Sequence, residues 1–86
     1  MTLNGTVIMT PRMVNNNCIF RVKCGEENID IISRGYQAVK DNIFLEEGCY
    51  IEMQGKMIDD IFYTNSNKIN IMKYFKAMEE EKIYGC

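Results

Sequence analysis

The feature that most constrains this chain is a strict alternation of apolar and polar residues from residue 18 to residue 24. Successive side chains of a β-strand point to opposite faces, so this pattern predicts a strand with one buried face. The buried face holds Cys18, Phe20, Val22 and Cys24, and the opposite face holds Ile19, Arg21 and Lys23. Two of the four cysteines are therefore predicted to lie on the core side of this strand.

Similar alternation elsewhere predicts further strands over residues 3–9, 29–34 and 49–57, with Thr10-Pro11 ending or bending the first. A long hairpin is predicted over residues 58–64 and 69–74, with its turn at residues 65–67, Asn-Ser-Asn. The triplet of residues 15–17, Asn-Asn-Asn, predicts another turn.

The spacing changes between residues 36 and 44, where it predicts a short helix. Val39, Ile43 and Phe44 would form its buried face, and Asp41 would face water. Three strands, a helix and two strands fit a closed or nearly closed five-stranded Greek-key barrel of the OB type, which is all-β apart from the helix. An open α+β sheet is the alternative.

The chain is long enough for one small domain, and the pattern places it at residues 1–76. Residues 77–86 are predicted to form an acidic tail or a fraying helix, because Glu79 begins a run of three like charges. Residues 1–78 hold nine acidic and nine basic side chains, so the formal charge of −2 arises from Glu79 onward. This balance excludes bulk attraction to duplex DNA and leaves room for a local basic groove.

The absence of histidine excludes Ser-His-Asp and Cys-His catalysis and removes the commonest zinc ligand. Asp59 and Asp60 have no accompanying histidine and are predicted to form a solvated turn. We therefore expect no catalytic residue, no metal ligand, no cofactor and no enzymatic activity. No apolar run or secretory signal is evident, so a cytoplasmic protein with reduced cysteines, and no association with membranes, is expected.

Four segments in order resemble the family of bacterial single-stranded-DNA-binding proteins: LNGTVI (residues 3–8), FRV (residues 20–22), IDIISRGYQA (residues 29–38) and LEEGCYIEMQGKM (residues 45–57). The resemblance covers residues 3–75. It implies an OB-fold that binds single-stranded DNA, or RNA, without chemistry, in replication, repair or recombination. It also implies a homodimer or homotetramer and protein partners from replication or repair. Unlike that family, which often stacks bases on Trp, this chain contains no Trp.

A single-strand binder needs cations along the phosphates and flat side chains for the bases. The candidate residues are Arg12, Arg21, Lys23, Arg34, Lys56 and Lys68 for phosphate, and Phe62 and Tyr63 for stacking. Tyr63 and Phe62 are neighbours on a strand, so at most one of them can be in the core. Phe20 and Phe44 are predicted core residues.

Each feature has an alternative interpretation. The cations can simply solubilise an exposed sheet, with nearby carboxylates neutralising them, and the aromatic pair can contact a partner subunit. The alternative function is an OB-fold protein–protein interaction module that has lost nucleic-acid binding.

Overall fold

The computed structural model describes residues 1–69, which form a closed five-stranded barrel with one helix. The elements are β1 (Thr2–Val14), β2 (Asn17–Cys24), β3 (Glu27–Ser33), α1 (Gly35–Phe44), β4 (Tyr50–Ile58) and β5 (Ile61–Ile69). The strand order around the barrel is β1-β2-β3-β5-β4, and β4 pairs back to β1. All neighbours are antiparallel except β3 and β5, which are parallel. The predicted OB-type barrel, with its helix between the third and fourth strands, is confirmed.

The core is built from the inward residues of every strand, as the alternation requires. The side chains with less than 2% exposure include Val7, Phe20, Val22, Ile31, Ile51, Met53 and Phe62. Cys18 is also fully buried, and Cys24 and Cys49 are half-buried against the same cluster. The predicted core side of β2 is therefore confirmed.

Strand β1 is longer than the sequence pattern predicts, because it continues through Pro11 to Val14. Its pairing with β2 shifts register between Val7 and Met9 and again between Met9 and Arg12. Proline lacks the N–H that a regular ladder needs, and an irregular stretch tolerates it. The prediction that β1 ends near residue 9 was therefore wrong, and Pro11 lies at an irregularity within the strand.

The turn between β4 and β5 lies at Asp59 and Asp60, not at residues 65–67. Both aspartates have positive φ, 50° and 65°, and Ile58 pairs with Ile61 across the turn. Two positive-φ residues give the hairpin the twist of its strands, and Asp tolerates that backbone. The predicted solvated turn at these aspartates is confirmed, as is the turn at Asn15 and Asn16.

Residues 65–67 lie inside β5, where they form an irregularity rather than a turn. The register shifts between Gln54 and Gly55 of β4, which leaves Asn65 as the extra residue on β5. The predicted hairpin turn was wrong because residues that favour turns also favour bulges. The predicted strand residues 70–74 and the predicted tail, residues 77–86, lie outside the described residues.

Helix α1 packs on the barrel with a different face from the one predicted. Val39, Ile43 and Phe44 are 49%, 63% and 64% exposed, whereas Ala38 and Asp41 are buried. The core placement of Phe44 and the solvent placement of Asp41 were therefore wrong. Within residues 1–69, no helix has the length and apolar character needed to cross a membrane.

Candidate nucleic-acid interface

The outer surface of the barrel carries a row of side chains that crosses all five strands. Register pairs Arg12 with Ile19, Ile19 with Ile32, Ile32 with Tyr63, and Tyr63 with Lys56. Neighbouring strands are about 4.8 Å apart, so this row extends over about 19 Å of backbone. The row has a cation at each end, Arg12 and Lys56. Between them lie two isoleucines and the aromatic ring of Tyr63.

A second row of side chains runs parallel to the first, two residues away along β2, β3, β5 and β4. It contains Met9, Arg21, Asp30, Ile61 and Ile58 in register. Here Arg21 Nε donates to Asp30 Oδ1 at 2.7 Å, and both side chains are about half exposed, 47% and 49%. An exposed pair of this kind contributes about 0–1 kcal/mol to stability. Its larger effect is to occupy Arg21, so this cation is less available to a phosphate.

Tyr63 and Arg34 form the centre of the candidate site. The Arg34 guanidinium carbon lies 4.5 Å from the centroid of the Tyr63 ring, a cation–π contact. Arg34 lies between the end of β3 and the start of α1 in an extended conformation, so the parallel pairing of β3 with β5 brings it over Tyr63. The ring and the guanidinium together present a flat surface with positive charge.

A groove of about 600 Å³ lies beside this pair. Arg34, Lys56, Ile58 and Tyr63 line it, and this volume is within the range of small-molecule sites. Three of the residues predicted from sequence therefore converge in one groove.

Sequence reasoning missed the polar groups of this groove. Gln54 and Asn65 also line it, and their amides can donate to and accept from the edge of a base. Both lie at the register shift between β4 and β5, where the irregular backbone places neighbouring residues on one side. The clustering of Asn and Ser at residues 65–67 and the glycine at residue 55 are the sequence signs of that irregularity.

The remaining predicted residues do not line this groove. Arg12 lies at the far end of the first row, and Lys23 is exposed on the outer face of β2 opposite Asn28. Lys68 pairs in register with Glu52 and lines a separate groove beside α1, so it does not join the others. Phe62 is fully buried in the core, and its predicted stacking role is therefore wrong. Alternation on β5 leaves Tyr63 as the outward aromatic.

A buried polar cluster fixes α1 to β5 at one end of the barrel. Asp41, only 2% exposed, accepts hydrogen bonds from Gln37 Nε2 at 2.8 Å and from Asn67 Nδ2 at 2.5 Å. Thr64 Oγ1 in turn donates to Asn67 Oδ1 at 2.6 Å. Burial raises the pKa of the Asp41 carboxyl, and the Ser33 hydroxyl, the two amide bonds and the charge of Lys40 partly oppose this rise.

The raised pKa of Asp41 predicts a pH-dependent contribution to stability. Between the ordinary carboxyl pKa and the raised one, the folded state binds more protons than the unfolded state, so the free energy of unfolding falls as pH rises. The Asp41→Asn variant lacks this titration. Urea unfolding of both proteins between pH 3.5 and 7, about the range of perturbed carboxyls, checks it. We expect wild type to lose stability relative to the variant as pH rises, and parallel curves would contradict the assignment.

The cysteines of the described region belong to the core rather than to the surface. Burial, together with the nearby carboxylate of Asp41, raises the pKa of the Cys18 thiol to about 11. Burial also raises the pKa of Cys24. Such thiols stay protonated at neutral pH and pack as small apolar groups. Among residues 1–69, no three His, Cys, Asp or Glu side chains are grouped as metal ligands.

Comparison of the sequence with protein-family models gives no match, and no curated protein matches it either. Comparison of the structure with solved structures does give matches. TiaS in complex with an isoleucine tRNA, AMPCPP and agmatine matches with a TM-score of 0.69 and 18% identity, over 79% of this chain and 18% of that one. Apo TiaS, an agmatidine synthetase for that tRNA, matches with a TM-score of 0.68 and 18% identity, over 79% and 17%. The chain therefore spans less than a fifth of the length of these TiaS chains.

The small single-stranded DNA-binding protein from Streptomyces coelicolor matches over nearly its whole length. Its TM-score is 0.67 at 16% identity, and the match covers 84% of this chain and 92% of that chain. Identities this low show a shared fold. The chain is thus an OB-fold barrel, structurally similar to a small single-stranded DNA-binding protein and to part of TiaS.

Proposed function

We propose that this protein binds single-stranded nucleic acid, DNA in the first place, without catalysing a reaction. The strand would cross the barrel along the first row, from Arg12 to Lys56. Phosphates would contact the cations at the two ends and Arg34, and a base would stack at Tyr63. The observation that carries the proposal is the convergence of Arg34, Tyr63 and Lys56 on one groove.

The chemistry of the row suits a single strand better than a duplex. Ile32 lies beside the tyrosine on β3, and Ile58 lines the groove, so an unstacked base meets an apolar and aromatic surface. Residues 1–69 carry seven Lys and Arg against nine Asp and Glu, so bulk charge does not attract a duplex. A row of about 19 Å corresponds to about four nucleotides, the lower end for one OB-fold.

The structural neighbours support this proposal through their own ligands. One neighbour is named for single-stranded DNA binding, and another is seen with a tRNA. An assembly of two or four barrels, which the resemblance implies, would join several short sites on one strand and raise the affinity. A role in replication, repair or recombination, together with other proteins of those processes, follows from the same resemblance.

Fluorescence anisotropy with labelled oligothymidine tests the proposal. The number of available cations predicts how strongly the binding affinity depends on salt concentration. Arg12, Lys23, Arg34 and Lys56 make no ion pair with another residue of 1–69. Each phosphate contact to a single strand contributes about 0.7 to the slope of log K against log salt. With four such cations, we expect binding at micromolar protein in low salt and a slope no steeper than about −3.

Three ligands compared under the same conditions define the specificity. Oligothymidine and oligouridine should both bind, and a duplex of equal length should bind more weakly, because its bases are unavailable for stacking. No binding in low salt, or binding that salt leaves unchanged, would overturn the proposal. Equal affinity for the duplex would show that charge alone is responsible.

A further inference from the structure

Gln54 and Asn65 place two uncharged side-chain amides in the groove beside Tyr63. Both residues are exposed, and neither amide makes a hydrogen bond within the part of the chain that the structure describes. The amide of Asn67 differs, because it donates to the buried carboxylate of Asp41. The groove therefore contains two amides, each with donors and an acceptor, that the barrel itself does not use.

The register of β4 with β5 brings both amides to the same side of the tyrosine ring. Lys56 is opposite Tyr63, Gln54 lies two residues before Lys56, and Asn65 lies two residues after Tyr63. The two strands are antiparallel, so both steps lead in one direction along the barrel. Residues two apart on a strand share a face and are about 7 Å apart. All four side chains line the groove, and the amides lie next to each other beyond the ring.

The backbone that carries the two amides is held in place. The Thr64 hydroxyl is within hydrogen-bond distance, 2.9 Å, of the Gln54 carbonyl oxygen. The Gly55 N–H donates to the carbonyl of Met1 at 3.0 Å. Thr64 itself is buried. Side chains on a fixed backbone have less freedom to lose when they bind a ligand, so the two amides are partly preorganised.

Uncharged amides add little attraction for phosphates, but they match base edges on which a donor and an acceptor are adjacent. Adenine is the only one of the four bases whose amino group has an accepting ring nitrogen on each side, N1 and N7. The amino group of cytosine has an acceptor on one side only, as does that of guanine, and thymine has no amino group. Two neighbouring amides can therefore each form a pair of hydrogen bonds with one adenine.

We propose that this groove prefers adenine at the position that stacks on Tyr63, and that Gln54 and Asn65 recognise its edge. The inference rests on the proposed binding of single strands. One amide would donate to N7 and the other to N1, and each would accept one hydrogen of the amino group. The groove, about 600 Å³, has room for a purine, whose two rings also cover more of the tyrosine than a pyrimidine does.

Short thymidine oligonucleotides that differ only in one central base test this preference. A length of about six nucleotides exceeds the row and lets the central base reach Tyr63. In anisotropy titrations at one low salt concentration, central adenine should bind at least about fivefold more tightly than central thymine, the effect of one bidentate pair. Central guanine and cytosine should bind more weakly than adenine. A central purine without the amino group should lose the advantage of adenine.

Two variants of the full chain assign the preference to the amides. Gln54→Leu and Asn65→Ala should each reduce the preference for adenine severalfold and change the affinity for the all-thymine oligonucleotide much less. Asn28→Ala is the matched control, because it removes an exposed amide of β3 that does not line the groove. It should leave both the preference and the affinity unchanged.

The outcomes separate this inference from the proposed function. Equal affinity of the wild type for all four central bases would overturn the inference and leave single-strand binding intact. A preference for adenine that survives in both Gln54→Leu and Asn65→Ala would also overturn it, because stacking alone would then be the cause. Tightest binding of central guanine would show that the cations of the groove recognise the base. Failure of every oligonucleotide to bind would overturn the proposed function, and this inference with it.

Discussion

Replacing Tyr63 with alanine is expected to weaken oligothymidine binding by roughly 5–150-fold, the equivalent of about 1–3 kcal/mol for one stacked base. Tyr63 is the outward aromatic of the row, and it lies between Ile32 of β3 and Lys56 of β4. The change also removes the ring under Arg34, which leaves that guanidinium without its cation–π contact. Anisotropy titrations of wild type and variant at one salt concentration give the ratio of the two dissociation constants.

Two further variants separate stacking from general loss of surface. Tyr63→Phe keeps the ring and should bind within a few-fold of wild type. Ile61→Ala removes an aliphatic side chain from the same face of the same strand, two residues away, and should cost much less than Tyr63→Ala. Equal losses from Tyr63→Ala and Ile61→Ala would mean that the aromatic ring has no special role.

The fold follows from the sequence because its strands have one buried face each. On β2, a shift of one residue would expose Phe20 and bury Lys23, so the alternation fixes both the strand and its orientation. Five such segments in a chain this small can hide their edges by closing into a barrel. These local and global requirements agree, and the prediction was confirmed.

The helix face could not be predicted from hydropathy, because burial of α1 depends on a polar contact. Asp41 can be buried since Gln37 and Asn67 satisfy its carboxylate, and Asn67 is 26 residues away in sequence. Val39 and Ile43 then face outward despite their hydropathy. A pattern of apolar residues shows that a helix has two faces, but it does not show which one a distant hydrogen bond turns inward.

Part of the candidate site was also visible in the sequence. Arg34, Lys56 and Tyr63 were predicted by residue type, yet their convergence requires the parallel pairing of β3 with β5 and the register of β4 with β5. The first of these pairings joins residues about thirty positions apart, and no local pattern specifies it. The ion pair that makes Arg21 less available to a phosphate also depends on register, because the pairing of β2 with β3 places Arg21 opposite Asp30.

Replacing Gly55 with alanine is expected to destabilise the barrel by about 3 kcal/mol, at the upper end of the usual cost of overpacking. A Cβ at this position would overlap the carbonyl oxygen of Tyr63 and come within 2.9 Å of the Thr64 Cα. Both are backbone atoms of β5, so no side-chain rotation relieves the contact. At about 4–8 °C per kcal/mol, the melting temperature should fall by roughly 12–24 °C.

The matched control is the same substitution at a glycine with open space around it. Gly25 has nothing within 4 Å of an added Cβ, and its φ of +64° makes Gly25→Ala cost about 1–2 kcal/mol through backbone strain alone. Thermal unfolding followed by circular dichroism compares the two variants, and equal losses of stability would contradict the close approach at Gly55.

Because Gly55 also lines the groove beside Tyr63, any Gly55→Ala protein that still folds should have a displaced β5 and weaker oligothymidine binding. Gly25 lies in the turn between β2 and β3, so Gly25→Ala should keep its affinity, and the pair of variants thereby links the packing of β4 on β5 to the proposed site.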